Sequence, residues 1–290
     1  MSDWFHNLPI SVMALVVFGF TYVFAAAIFF VVQALAVGER ARSFKAVSPG
    51  MLPPLGIIFG LFVAFTAAQV WNDNDRANSA VAHEASALRA IVVLAASFPG
   101  EPEARLRALI HQYIDEVVTQ EWPMMARQTA TLRVAPHPIT EALQLNLALN
   151  ATTPGQQIAQ REITTALQQA LDSRRQRIII SHSQVNAVKW LCLVLQAMCA
   201  LIAIAMVHVD NRLSAIITIA FFATGVAASV LLIAAHDRPF VGEISVRPDP
   251  LLQVMPESSP GQQAYETMSR RLPTITTSVP FSISVAPFHV

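Results

Sequence analysis

Charge is what this 290-residue sequence has least of. Asp, Glu, Lys and Arg together make up 13% of it, about half the share usual in soluble domains. The deficit is local, with none of these four residue types in 10–38, 46–72, 190–209 or 213–235. At 1.5 Å of rise per residue, each window is long enough for a helix to cross a hydrocarbon core about 30 Å thick. A purely soluble enzyme is thereby excluded. Nineteen basic residues balance nineteen acidic ones, so the basic surface that a nucleic-acid partner requires is missing as well. Cysteine is scarce too. Cys192 and Cys199 both fall in the third window, and seven residues along one helix place them about 10 Å apart in rise, too far for a disulfide. They read as small apolar packing residues. No HExxH, GxSxG or phosphate-binding glycine loop occurs, so neither a catalytic site nor a cofactor is expected.

What is there reads as an all-α integral membrane protein with four transmembrane helices in two hairpins and an extramembrane helical bundle inserted between spans two and three. The first hairpin takes 1–72. Its opening apolar run approaches thirty residues and lacks a basic start, which fits a retained membrane helix and not a cleaved signal. Pro49 and Gly50 turn the chain, and Pro53 and Pro54 suit the first turn of span two. The bundle, 73–188, is a different material, with ten Arg against eleven acidic residues. Val81, Ala85, Leu88, Val92 and Ala95 recur at helical spacing, which predicts that span two continues as a helix to about Phe98. A second amphipathic pattern, from Leu106 to Val118, is expected to end before Pro123, and a shorter one covers 139–149. The last helix is expected to start near Pro154 and run directly into span three. The second hairpin, 189–236, turns on Asp210, Asn211 and Arg212. A fold-back segment, 237–255, follows, and 256–290, rich in Ser, Thr, Pro and Gln, reads as a disordered tail. An even number of spans leaves both tails and the bundle on one side. Arg76, Arg174, Arg175, Arg177, Lys189, Arg238 and Arg247 near the span ends, against Arg40, Arg42, Lys45 and Arg212 in the short connections, favour the cytoplasm for that side.

Several residues carry candidate chemistry. Phe59, Phe62 and Phe65 lie within about 120° on span two, and such a face can form a pore-lining hydrophobic constriction or simply pack. Gly56 and Gly60 form a small-xxx-small pair that admits a close helix neighbour. Gln33, Thr66, Gln69, Gln196, Thr218 and Thr224 are the polar residues within the spans, and all are neutral, which weighs against a proton-coupled transporter. His111 and Asp115, with Glu116 beside them, are too few for a metal site. Directly after span four, Asp237, Arg238, Pro239 and Phe240 read either as a fold-back that seals the base of the bundle or as a place where Arg238 meets a permeating anion.

Beyond these readings, Ala64, Phe65 and Trp71, Glu84, Ala85 and Leu88, the Glu121, Trp122, Pro123 run, Arg174 and Arg177, and above all Asp237, Arg238, Pro239, Phe240 and Gly242 with Val246 and Pro248 form a set. With them the chain resembles the bestrophin-like family of bacterial integral membrane proteins of unknown function. That name implies similarity to bestrophins, pentameric chloride channels whose second span lines the pore with phenylalanines and whose neck carries an apolar ring every four residues. Phe59, Phe62 and Phe65 step by three instead. The resemblance implies a multi-pass, channel-like homo-oligomer in the bacterial inner membrane, with the lipid bilayer and an inorganic anion as partners. The alternative is a poreless membrane-anchored sensory or scaffolding protein whose bundle binds a ligand or partner.

Overall fold

The computed structural model describes residues 3–38, Phe44 and 49–256, so the connection around Arg40, Arg42 and Lys45 and nearly all of the expected tail lie outside the described residues. Among the described residues the chain is helical, without a strand. In order come α1 (Asp3–His6), α2 (Ile10–Leu35), α3 (Leu52–Ala95), α4 (Glu101–Glu116), a π-helical turn (Val117–Glu121), α5 (Trp122–Ala126), α6 (His137–Ala148), α7 (Pro154–Ser181), α8 (Ala187–Val207), α9 (Arg212–His236) and α10 (Asp249–Gln253). Four of them, α2, α3, α8 and α9, are long and apolar enough to cross a membrane.

The 44-residue α3 is the backbone of the fold. Its length is about 66 Å, twice a hydrocarbon core, so its apolar first half can span while its second half runs on into a helical bundle. There it packs most extensively on α7. The two run antiparallel, Glu84 meeting Arg177 and Ser97 meeting Gln156. Leu88 and Ile91 of α3, Leu106, Ile110 and Ile114 of α4, Ile139 of α6 and Ile163 and Leu167 of α7 close a core that excludes water entirely. Thr153 starts α7 with a full capping box to Gln156, and Pro154 occupies the first turn, where its missing N–H costs nothing. In the apolar layer α2 packs mainly on α9 and then on α8, while α3 packs on α8 and α9. The hydroxyls of Thr21, Thr66, Thr218 and Thr224 each donate to the carbonyl four residues earlier, so none needs a solvent partner.

Two expectations are corrected here. The helix from Leu106 does not stop before Pro123. It continues through the π-helical turn to Ala126: the Trp122 N–H donates to the Val117 carbonyl five residues back, and Pro123 falls in the first turn of the piece that follows, where a missing N–H is tolerated. Nor does α7 pass directly into α8, since the helix breaks over 182–186. Asn186 caps α8 by accepting from the Val188 N–H, and the N–H of Val185, freed by the break, donates to Asp237 at 2.5 Å.

Candidate functional site

Glu84 follows Val81 by three residues and precedes Leu88 by four, so helical geometry aims its carboxylate into the bundle core. It is wholly buried, as is Arg177, which reaches it from α7. The Arg177 Nε donates to Glu84 Oε2 at 2.8 Å and Nη2 to Oε1 at 3.0 Å, the two-pronged geometry for which a planar guanidinium is suited. Tyr113 of α4 donates its hydroxyl to Glu84 Oε1 at 2.6 Å. Arg177 Nη2 also donates to Glu121 Oε2 at 2.8 Å, and Arg174 Nε to Glu121 Oε1 at 2.9 Å. Two carboxylates and two guanidinium groups therefore cancel in charge. The Arg177 guanidinium lies 5.2 Å over the Trp122 ring, and that ring meets Phe240 edge-on at 5.5 Å. Burial alone would lower the pKa of Arg177, yet the charge of Glu84 and the hydrogen bonds to it raise it further. Burial, and then the charge of Glu84, push the Tyr113 phenol well above its usual range, so it stays a donor.

The fold-back segment forms a second focus. Asp237 Oδ2 lies 3.4 Å from His6 Nε2, with both side chains buried. The Val246 N–H donates to the Pro239 carbonyl at 2.7 Å, and Phe240, Val246 and Leu251 enter the bundle core. Arg238 is also buried. Gly242 adopts φ +90°, and a Cβ there would lie 3.1 Å from the His6 carbonyl oxygen. Both conformation and space therefore demand glycine. Gly242→Ala is expected to cost about 1–2 kcal/mol, read as a lower midpoint in thermal unfolding of the detergent-solubilised protein.

The structure thus draws Glu84, Glu121, Trp122, Arg174, Arg177 and Phe240, spread over 157 positions of sequence, into one contiguous cluster. Pro123 remains exposed next to it. Tyr113 reads from sequence only as one more apolar helix position. The signal that points to it is Glu84 on a core face, which requires a buried donor. The three phenylalanines of span two are not brought together. Phe59 is 7% exposed and packs at 5.6 Å on Phe222 of α9, Phe62 is partly buried beside it, and Phe65 is 69% exposed. Among the described residues no three His, Cys, Asp or Glu side chains gather as a metal site would require. Beside the ion-pair cluster a cleft of about 360 Å³ opens, lined in part by Tyr113, Glu121 and Arg174.

A family profile described as a bestrophin-like domain matches residues 19–251, a stretch that contains the ion-pair cluster, the fold-back residues from Asp237 to Leu251, the last three candidate spans and the greater part of the first. The chain belongs to the bestrophin-like family. No curated protein and no solved structure shows a match to it. This bestrophin-like chain is a multi-pass membrane protein, and the residues on which the resemblance rests are largely those that tie α3, α7 and the fold-back segment together.

Proposed function

We propose that this bestrophin-like protein is one subunit of a channel-like homo-oligomer that passes small inorganic anions, with the first half of α3 facing the symmetry axis. The observation that carries this reading is the outward face of α3. Ile57, Leu61 and Phe65 are exposed at four-residue intervals, the spacing of the apolar neck in the channels for which the family is named. Gly56 and Gly60 on the same half of the helix face open space, so close packing at that pair awaits a helix from another chain. Only 22% of the most apolar window of α3 is buried within the protomer. Phe59, packed on Phe222, would brace this face from behind, and Phe62 and Phe65 would border the constriction. On this reading the bundle and both tails face the cytoplasm from a bacterial inner membrane, a side that the arginines near the span ends favour.

A chloride current from purified, reconstituted protein in a planar bilayer is the expected result, and Phe65→Ala is expected to raise that current several-fold by relieving an apolar barrier. Absence of current from a protein shown to be oligomeric would overturn the reading. So would a monomer in detergent, since four spans are too few to enclose an axial pore. The second reading, a poreless sensory or scaffolding protein, is favoured by the cleft beside the ion-pair cluster.

A further inference from the structure

We propose that the cleft between α4, the π-helical turn, the loop 127–136 and α7 binds a small zwitterionic molecule carrying a carboxylate, an amine and an apolar body. At about 360 Å³ it falls in the size range of small-molecule sites. Its lining divides in two. Val117, Met124, Val134 and Pro136 offer an apolar wall, whereas Glu116 and Arg174 bring one charge of each sign.

The two charges are available to a ligand in a way that Glu121 is not. Both oxygens of Glu121 are held, Oε1 by Arg174 and Oε2 by Arg177. Arg174 spends Nε and Nη2 on Glu121 Oε1, which leaves Nη1 as a charged donor on a side chain only 11% exposed. Glu116 accepts from Gln112 on Oε1, which leaves Oε2. His137 at the rim is turned toward Glu141, 3.6 Å away. A simple anion on Arg174 would share the cleft with the like-charged Glu116 carboxylate, and a simple cation on Glu116 would leave the Arg174 donor idle. A molecule with both charges pairs with both, which selects for the zwitterion.

The wall opposite α7 is held in place before any ligand arrives. Gln128 adopts a left-handed φ of +56°, an uncommon conformation for a residue other than glycine, and donates from Nε2 to the Ser181 carbonyl. The Thr129 N–H donates to the Met124 carbonyl at 2.8 Å, and His182 Nε2 lies 2.9 Å from the Ala130 carbonyl oxygen. The π-helical turn, a deformation frequent at binding sites, supplies Val117, Gln120 and Glu121 to the lining. Such a prebuilt wall lowers the ordering cost of binding.

The test is calorimetric titration of the full-length protein in detergent with L-phenylalanine and the dipeptide leucyl-phenylalanine. Phenethylamine, which lacks the carboxylate, and 3-phenylpropionate, which lacks the amine, serve as controls. At least one zwitterion is expected to bind about tenfold or more tightly than either control, as the loss of a charge-assisted hydrogen bond implies. Glu116→Gln is expected to abolish the preference for phenylalanine over 3-phenylpropionate while leaving the preference over phenethylamine. Met124→Trp, at an exposed position that fills the cleft, is expected to abolish binding with the unfolding midpoint unchanged. Equal binding of zwitterions and controls, no heat at millimolar ligand from folded protein, or binding that survives Met124→Trp would each overturn the proposal. Heat of binding is independent of conductance, so failure here and failure of the channel reading are separate results.

Discussion

Replacing Arg177 with Met is expected to destabilise the protein by about 3–5 kcal/mol, the usual cost of removing one partner from a buried ion pair. The reason lies on the Glu84 side. Glu84 is wholly enclosed, and without Arg177 its charge keeps a single hydrogen-bond partner among those described, the Tyr113 hydroxyl. A buried carboxylate so poorly compensated either retains an unfavourable charge or takes up a proton, and both weaken the fold. Arg177→Lys is expected to fall between the parent and Met, because an ammonium keeps the charge but cannot make the parallel pair of hydrogen bonds. The double variant Glu84→Met with Arg177→Met is expected to recover part of the loss, since two apolar side chains leave no orphaned charge. Thermal unfolding of the four proteins in one detergent gives the comparison. A loss below about 1 kcal/mol for Arg177→Met would put the pair in the class of exposed surface bridges and contradict its burial.

Asp237→Ala is the second large effect, about 1.5–3 kcal/mol. Asp237 accepts from the Val185 N–H where α7 and α8 part, so alanine leaves a buried backbone donor without its acceptor. Asparagine retains an acceptor oxygen of the same reach. Asp237→Asn is therefore expected to lose clearly less than Asp237→Ala by the same unfolding measurement. Equal losses would assign the effect to the charge facing His6, 3.4 Å away, and not to the hydrogen bond.

These two sites also mark where the sequence is legible and where it is not. The four apolar helices follow directly from runs without charge, and the continuity of α3 out of its apolar half follows from the periodicity of Val81, Ala85, Leu88, Val92 and Ala95. The periodic spacing within each helix says nothing of partners between helices. Glu84 and Arg177 stand 93 residues apart, and no local pattern couples them. The break between α7 and α8 is hidden for the same reason, because the residue that satisfies it lies 52 positions downstream of Val185. Pro123 misleads because a proline reads as a stop, and only the π-helical turn before it shows how the helix goes on. Phe59 and Phe65 share one arc of span two yet meet opposite surroundings, since the arc is set by helix geometry and the surroundings by α9.

The length of α3 has a mechanical consequence. Leu61 lies 23 residues before the clamp at Glu84, about 35 Å along a single rod. Pivoting that rod by about 5° at the clamp sweeps the Leu61 end sideways by about 3 Å, roughly the width of a water molecule. On the proposed channel reading, a slight rearrangement among the arginines would in this way be levered into a displacement comparable with the bore of a narrow passage at the far end.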